Sequence, residues 1–599
     1  MLTKVSSNSS LKGGGFIANN EVNLENVLIP EEFTDEQKMM IKTTVDFVEK
    51  EIASLGEEGQ KLNYKLSKEV VKKAGDVGLL GVCLPEEYGG LGLDGIRFAL
   101  IKEALNLGHS SMTATIGGQM GIGMLPIIFF GTPEQRQKYL PRLQDGTITT
   151  AFALTEPQSG TDASSIKATA ELSEDGKHYI LNGSKVFITN AGFADIFVVF
   201  AKVNGTDFTA FIVERESEGL SIGPEEKKMG LKASSTCSMT FDNVHVPVEN
   251  VLGKIGEGHK FAFNTLNFGR LSVGAGCLGN SKHALECSAK YANERVQFGQ
   301  PISSFPLIGK KLADINIQTY VLESMVYRTA GMFNEKLQEI DFNDPNLEEN
   351  SRRLIGEYMI ECAINKVFGS ETLDFAADEG LQIHGGYGYM QEYEIESIYR
   401  DARIKRIFEG TNEMNRMFIT KMIAKKLRKG QLPELQEAME KGEEELRSLM
   451  SVHAGNRALD QEERLLSIAK KVYHLALAQA LKTYGHTLEQ EQEVLSDLAD
   501  VTIQVYAMES ALLRTRKLVD RKGEQAAANA VNMTVAFIHE AFDQVIHFAK
   551  HTMYAACSGE GLSRQLDLLQ EASRKPPVNP VVLKRSIAEK VIQAEKFVV

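Results

Sequence analysis

The sequence predicts a mainly α member of the α+β class: an N-terminal helical domain, a central antiparallel β domain, a second helical region and a further helical extension. Three observations carry this. Apolar residues recur at helical spacing before about residue 150 and after about residue 260. The stretch between them consists of short segments rich in Val, Ile, Phe and Thr. No strand–helix–strand alternation appears, so a parallel doubly wound sheet is not expected.

Residues 1–33 are polar at the start and rich in Ser, Gly and Asn, and are expected to pack poorly. The first helical domain is assigned to 34–150, opening on "TDEQKMMIKTTVDFVEKEI", where Thr34 is placed to cap and Asp35 and Glu36 suit the first turn. The β domain is assigned to 151–259, with Asp175-Gly176, Asn182-Gly183 and Asn204-Gly205 read as hairpin turns. A barrel or sandwich would spare it exposed edges. Helical signals return over 260–429, interrupted by the acidic loop "EIDFNDPNLEEN". After "KGQLPE" the extension, 430–599, is helical again. Its clearest apolar face is Leu498, Val501, Val505, Met508 and Leu512.

With 599 residues, 43% hydrophobic and 24% charged, the chain can build several cores. A net charge of −14 argues against nucleic acid as a partner. Six cysteines without a CxxC pair fit a reducing compartment. No charge-free apolar run of about 18 residues is read, so no membrane span is expected. The N-terminus has neither a signal-like core nor an arginine. The expectation is a cytoplasmic, bacterial protein, with peripheral membrane contact through the tail left open. No His/Cys/Asp/Glu cluster has metal-ligand spacing, so no metal is expected.

"GGLGLDG" contains GxGxxG at Gly90, Gly92 and Gly95, a pattern that can cradle phosphate. It lacks the acid some 20 residues onward and the second parallel strand that such a site requires, so it reads as a plain glycine loop.

Five other stretches are more specific: "FALTEPQSGTDASSIKATA", "NGSKVFITNAG", "YANERVQFGQPI", "QIHGGYGY" and "IFEGTNE". Together, over about residues 35–425, they resemble the acyl-CoA dehydrogenase family. The helical tail makes the chain similar to its very-long-chain subgroup. The resemblance implies a C-terminal four-helix bundle and FAD between the bundle and the β domain. It implies loss of a proton from the α carbon and a hydride from the β carbon of a fatty acyl-CoA. The product is a trans-2-enoyl-CoA, and an electron-transfer flavoprotein takes the electrons.

The same resemblance places the catalytic base at Glu409, with its own amide and the flavin ribityl 2′-hydroxyl donating to the thioester oxygen. The implied flavin contacts are Phe152, Leu154 and Thr155, then Gly160 and Thr161 near the pyrophosphate, and Phe187 and Thr189 beside the ring. Phe187 stands where many members carry Trp, and this chain has none. Arg295, Gln297 and Phe298, with Gln382, Gly385 and Gly386, would reach the FAD of a second subunit, which implies at least a homodimer. Thr411 and Glu413 follow the base on the cofactor side. Asn267, Arg270 and Gly410 belong with the CoA and thioester, and Ala114, Gly117 and Gly118 with an open end of the acyl cleft. The cluster Arg400, Arg403, Lys405 and Arg406 reads as structural ion pairs. Plainer readings exist for each piece: Glu409 as a helix-start acid, Arg295 as a surface charge, the glycines as close helix packing. Two other functions stay open, an acyl-CoA oxidase using oxygen and an assembly or scaffold protein that reuses the fold.

Overall fold

The computed structural model describes residues 12–18, 22–108, 110–452, 454–455 and 457–599. Thr34 caps the helix Asp35–Phe47 through a capping box in which Thr34 and Gln37 exchange side-chain-to-backbone hydrogen bonds. Further helices follow to Pro133–Gln144. Asp94 caps Gly95–Leu105 by accepting from the amides of Ile96 and Arg97, so the GxGxxG stretch ends in an ordinary cap.

Contrary to the sequence reading, one charge-free run long and apolar enough to cross a membrane does exist, Ser110–Phe130. Gly121, which leaves helical geometry, and Pro126 divide it into Ser110–Gly118, Gln119–Gly123 and Leu125–Phe130. Most of it is buried within the fold. It is a core element of the N-terminal domain.

The β domain is one eight-stranded sheet: β1 Thr150–Ala153, β2 Thr169–Leu172, β3 His178–Thr189, β4 Ile196–Val203, β5 Asp207–Glu214, β6 Leu220–Glu225, β7 Thr236–Pro247 and β8 Val251–Leu252. The order is β6-β7-β3-β2-β4-β5-β8, so the sheet has two ends and does not close. It is not wholly antiparallel, because one edge of β4 is shared by β1 and β2, both parallel to it. β4 is buried on both faces. Phe197 and Val199 enter the sheet's own core, while Val198 and Phe200 pack toward the N-terminal helices. That explains its continuous apolar run.

Asn204 and Gly205 have φ of 51° and 74° and join β4 to β5 in a tight hairpin. Asp175-Gly176 likewise turns β2 into β3. Asn182-Gly183 does not turn. It lies inside β3 at a register shift against β7. A Cβ on Gly183 would stand 2.8 Å from Ala168 Cα, so the glycine permits close approach rather than reversal.

Four long helices, Gly258–Glu294, Pro306–Leu337, Met359–His384 and Asn412–Arg428, form the bundle. The extension adds Asp460–Tyr484, Gln492–Lys522, Ala528–Ala556 and shorter helices that share the bundle's core. Leu498, Val501, Val505, Met508 and Leu512 are all buried there. Buried ions tie the layers: Arg328 and Lys470 pair with Glu509, and Arg514 lies between Glu31 and Glu323.

The described part of the N-terminal segment is well packed, against expectation. Phe16 and Ile17 are buried. The amides of Gly13 and Gly14 donate to Glu357 at 2.8 Å and Glu361 at 2.6 Å. His474 Nε2 lies 2.7 Å from the carbonyl of Ile17, and Phe16 meets Tyr506 edge-on. The segment fills the seam between bundle and extension. Its polar composition hides two apolar anchors and a glycine whose Cβ would overlap the Glu357 carbonyl.

Candidate active site

Glu409 sits in the loop between Arg403–Arg406 and the helix Asn412–Arg428. Thr411 caps that helix, its hydroxyl accepting from the Met414 amide, and Glu413 occupies the first turn. The helix-start role is therefore filled without Glu409. Glu409 and Gly410 both have left-handed φ, 56° and 79°. For a glutamate this conformation is strained and must be held by its surroundings. Asn415 Nδ2 donates to the carbonyls of Glu409, Gly410 and Thr411. The buried Lys366 donates to the Gly410 carbonyl at 2.7 Å and to Asn412 Oδ1 at 2.6 Å. Burial lowers the pKa of Lys366 to about 8.

This turn aims the Glu409 carboxylate inward. Oε2 is buried without a hydrogen-bond partner among the described residues. It lies over Gly269 of the helix Gly258–Glu294, where a Cβ would come within 2.5 Å of it. Burial raises the Glu409 pKa to about 7, against the opposing pull of Arg270, Lys366 and Lys102. Asn267 and Arg270 are one turn apart on the same helix, both buried, with Arg270 Nη1 3.3 Å from Asn267 Oδ1. The Arg270 guanidinium lies over the Phe418 ring, and its Nε has no partner among the described residues.

Ala114, Gly117 and Gly118 form the half-exposed stripe of an otherwise buried helix, Ser110–Gly118. The two glycines differ. A Cβ on Gly118 would meet Asn190 Nδ2 at 3.0 Å and Thr189 Cγ2 at 3.6 Å, so this glycine lets the helix approach the end of β3. A Cβ on Gly117 would meet Lys102 Nζ at 2.9 Å.

On the β side, Thr155 and Thr189 are half-buried, Leu154 is buried, and Phe152 packs edge-on against Phe200. The Val186 amide donates to the Thr155 carbonyl, joining the "LTEP" and "FITN" stretches. A buried ion pair that sequence reasoning missed holds this loop. Lys185 binds Glu156 at 2.7 Å and the Leu154 carbonyl, while Glu156 accepts from the amides of Lys167 and Ala168. Phe187 is 64% exposed and left-handed, with φ 59°. Asn190 is also left-handed and binds the Thr115 carbonyl, pinning Thr189 beside the helix Ser110–Gly118.

Arg295, Gln297, Gly385 and Gly386 come together elsewhere, around one cavity of about 540 Å³. Arg295 lies over the Tyr387 ring, and Gln382 is exposed nearby. Phe298 is 94% exposed at the tip of a two-stranded hairpin, Val296–Gln297 with Gln300–Pro301. Arg400 pairs with Glu396 and Arg406 with Asp374, as expected of structural ions.

Sequence spacing also missed a trio that the fold assembles: His283, Cys287 and Glu394. Burial opposes charge on the His283 ring. The hydrogen bonds to Cys287 and Glu394 outweigh it and lift its pKa to about 10, and one ligand atom from each of the three lies close enough to the others to share a metal ion.

Four family models match in succession: the acyl-CoA dehydrogenase N-terminal domain over residues 34–147, the middle domain over 151–244, and two C-terminal domains over 256–424 and 468–571. A probable acyl-CoA dehydrogenase of Bacillus subtilis is 47% identical over 98% of both chains. The chain belongs to the acyl-CoA dehydrogenase family. The very-long-chain specific acyl-CoA dehydrogenase of Macaca fascicularis mitochondria is 36% identical, covering 82% of this chain and 76% of its own. The crystal structure of an acyl-CoA dehydrogenase complexed with FAD from Bacillus anthracis superposes with a TM-score of 0.95, at 45% identity over 98% of this chain and 100% of that one. Butyryl-CoA dehydrogenase from Megasphaera elsdenii gives 0.59, at 36% identity over 66% of this chain and 99% of its own.

Acyl-CoA dehydrogenases of this family are FAD-dependent, and this one has room for the group. Cβ atoms on Gly160, Gly385 and Gly386 would meet nothing within 4 Å, so backbone is bare where the resemblance puts phosphate. Thr161 and Phe187 are exposed, and the buried Asn190 Oδ1 and Thr115 Oγ1 lack partners among the described residues. Thr155, Thr161 and Thr189 would hold it in one subunit, with Arg295 and Gly385 reaching toward the FAD of a second.

Proposed function

We propose that this acyl-CoA dehydrogenase acts on long-chain fatty acyl-CoA in β-oxidation, uses Glu409 as its base and passes electrons to an electron-transfer flavoprotein. The observation that carries the assignment is the buried, unpartnered Oε2 of Glu409 with its pKa near 7. An ordinary carboxylate is too weak a base for an α-proton. Desolvation makes this one more basic at the pH where it must work.

In the proposed step Glu409 Oε2 takes the proton from the α carbon and holds it. Negative charge then grows on the thioester oxygen. The Glu409 amide meets no acceptor among the described residues and can donate to that oxygen. Arg270 contributes positive charge from the neighbouring helix turn. FAD, when bound, supplies the acceptor for the hydride of the β carbon. Lys366 and Asn415 keep the base loop in its strained turn, so the carboxylate is positioned before substrate arrives.

Two features support a long acyl chain: the small residues Ala114 and Gly117 on the half-exposed stripe, and the likeness to very-long-chain relatives. The exposed hairpin at Phe298 beside the cavity of Arg295 and Gly385 supports a homodimer whose subunits complete each other's FAD sites. Anaerobic titration of the flavoprotein with butyryl-, octanoyl-, palmitoyl- and stearoyl-CoA tests the reading. Flavin bleaching strongest with the long chains is expected, and no bleaching by any of them refutes it. Rapid oxygen consumption without an electron-transfer flavoprotein would favour the oxidase instead.

A further inference from the structure

Seven lysines are buried among the described residues: Lys102, Lys185, Lys366, Lys470, Lys471, Lys517 and Lys584. Five of these seven pair with a carboxylate. Lys366 lacks one but has two good oxygen acceptors. Lys102 stands apart. It is 4% exposed, on the helix Gly95–Leu105. Its ammonium makes one long hydrogen bond, 3.3 Å to the Gly117 carbonyl, and lies near the Phe98 ring. No carboxylate pairs with it among the described residues. An ammonium carries three donors, and a buried charge left uncompensated is costly.

Its location gives that cation a use. Nζ lies 2.9 Å from the point a Cβ of Gly117 would occupy, so it sits against the half-exposed stripe that the proposed function reads as a wall of the acyl cleft. Lys102 and Glu409 also feel each other's charge.

We propose that Lys102 is a specificity-determining residue that receives a carboxylate at the far end of the acyl chain, so that the enzyme accepts ω-carboxyacyl-CoA, the monothioester of a dicarboxylic acid. This rests on the reading of the cleft given above. The geometry is complementary. The thioester end meets Glu409, an alkyl chain runs along Ala114 and Gly117, and the distal carboxylate supplies the acceptors Lys102 lacks. A plain acyl chain meets the same residue as a neutral amine. Burial, with Lys405 adding to it and Cys83 and Glu409 opposing it, brings the pKa of Lys102 down to about 7, so either form is accessible. A bound carboxylate draws it to the charged form.

The test is anaerobic titration of the flavin holoenzyme with hexanedioyl-, octanedioyl- and dodecanedioyl-CoA, each against the plain acyl-CoA of equal length. Lys102→Met, a neutral residue of similar shape, should lower the ratio of ω-carboxyl to plain affinity by about tenfold to a hundredfold, the range for a hydrogen bond to a charged group. Lys102→Arg should retain most of the parent ratio. In the parent, affinity for the ω-carboxyl series alone should fall as pH rises above neutrality, a readout that needs no variant. If the Lys102→Met ratio equals the parent's, or if no member of the ω-carboxyl series binds the parent while plain chains bleach its flavin, the proposal fails alone. If plain chains also fail to bleach the parent, the dehydrogenase reading fails and takes the proposal with it.

Discussion

The carboxylate of Glu409 rests on the bare backbone of Gly269, where a Cβ would fall 2.5 Å from Oε2 and 2.7 Å from the carboxyl carbon. The two residues are far apart in sequence and on different elements. Gly269 is inside a helix, where glycine carries a propensity cost relative to alanine. Gly269→Ala should therefore leave the helix at least as stable in isolation and push the carboxylate aside. Displacement by about 1 Å can cost about 10²-fold in rate. Stopped-flow flavin reduction by palmitoyl-CoA should slow by about that factor with FAD content retained. A variant as fast as the parent would mean that the side chain has another productive position.

Glu409→Gln keeps the shape and removes the proton acceptor. Its flavin should still bind, and reduction by substrate should fall about 10²- to 10⁴-fold, the usual contribution of a positioned base. Reduction within a few-fold of the parent would move the base elsewhere.

The pH dependence has a definite sign. The base works when ionised, so kcat/KM should rise with pH through the free-enzyme pKa, about 7. The same shift bears on stability. The folded pKa lies above the ordinary carboxylate value of 4.5, so the stability present below pH 4.5 is lost as pH rises through about 7. At pH 8 the ionised group costs at most about 3 kcal/mol, which Glu409→Gln should recover. Urea unfolding at pH 8 and pH 5 measures this directly. The variant should gain stability mainly at pH 8, and an equal gain at both would show that Glu409 is not the group responsible.

Local chemistry was legible in the sequence, and long-range approach was not. Thr34 caps as read, because a cap depends on residues within one turn. Asn204-Gly205 makes its hairpin, but Asn182-Gly183 has the same composition and makes a bulge, because Ala168, just before β2, decides it. Glu409 could be singled out from its motif. Gly269 beneath it could not, nor could the Glu156–Lys185 pair, since each needs two distant segments brought together. Phe16 and Ile17 escaped notice because the groove that buries them is built by the extension. Gly118 was read as open space, and the strand end at Asn190 fills that space.

The exposed hairpin gives a prediction about assembly. Among the described rings of its own chain, Phe298 meets only Phe305. An apolar tip this exposed, next to the cavity of Arg295 and Gly386, fits a surface covered in the working oligomer. Phe298→Asp should lower both the dimer fraction in sedimentation and the flavin-to-protein ratio of the purified enzyme, because a shared cofactor site couples the two. A fully flavinylated monomer of the parent chain would exclude a shared site.

Gly117→Glu joins the cleft and its lysine in one experiment. A Cβ there meets only the flexible end of Lys102, so the backbone can accept the change. The new carboxylate would lie beside an ammonium that now has a single long hydrogen bond. It should pair with Lys102 and close the cleft at that point. Each buried CH₂ beyond the block is worth about 0.8 kcal/mol, so losing contact with several of them should shift preference decisively toward short chains. Ordering a flexible chain offsets part of that difference. Comparison of kcat/KM for butyryl- and palmitoyl-CoA should show palmitoyl-CoA falling by at least about tenfold relative to butyryl-CoA. If the parent already prefers butyryl-CoA, the small-residue stripe does not open the cleft. If the variant keeps the parent's ratio, the acyl chain does not pass Gly117.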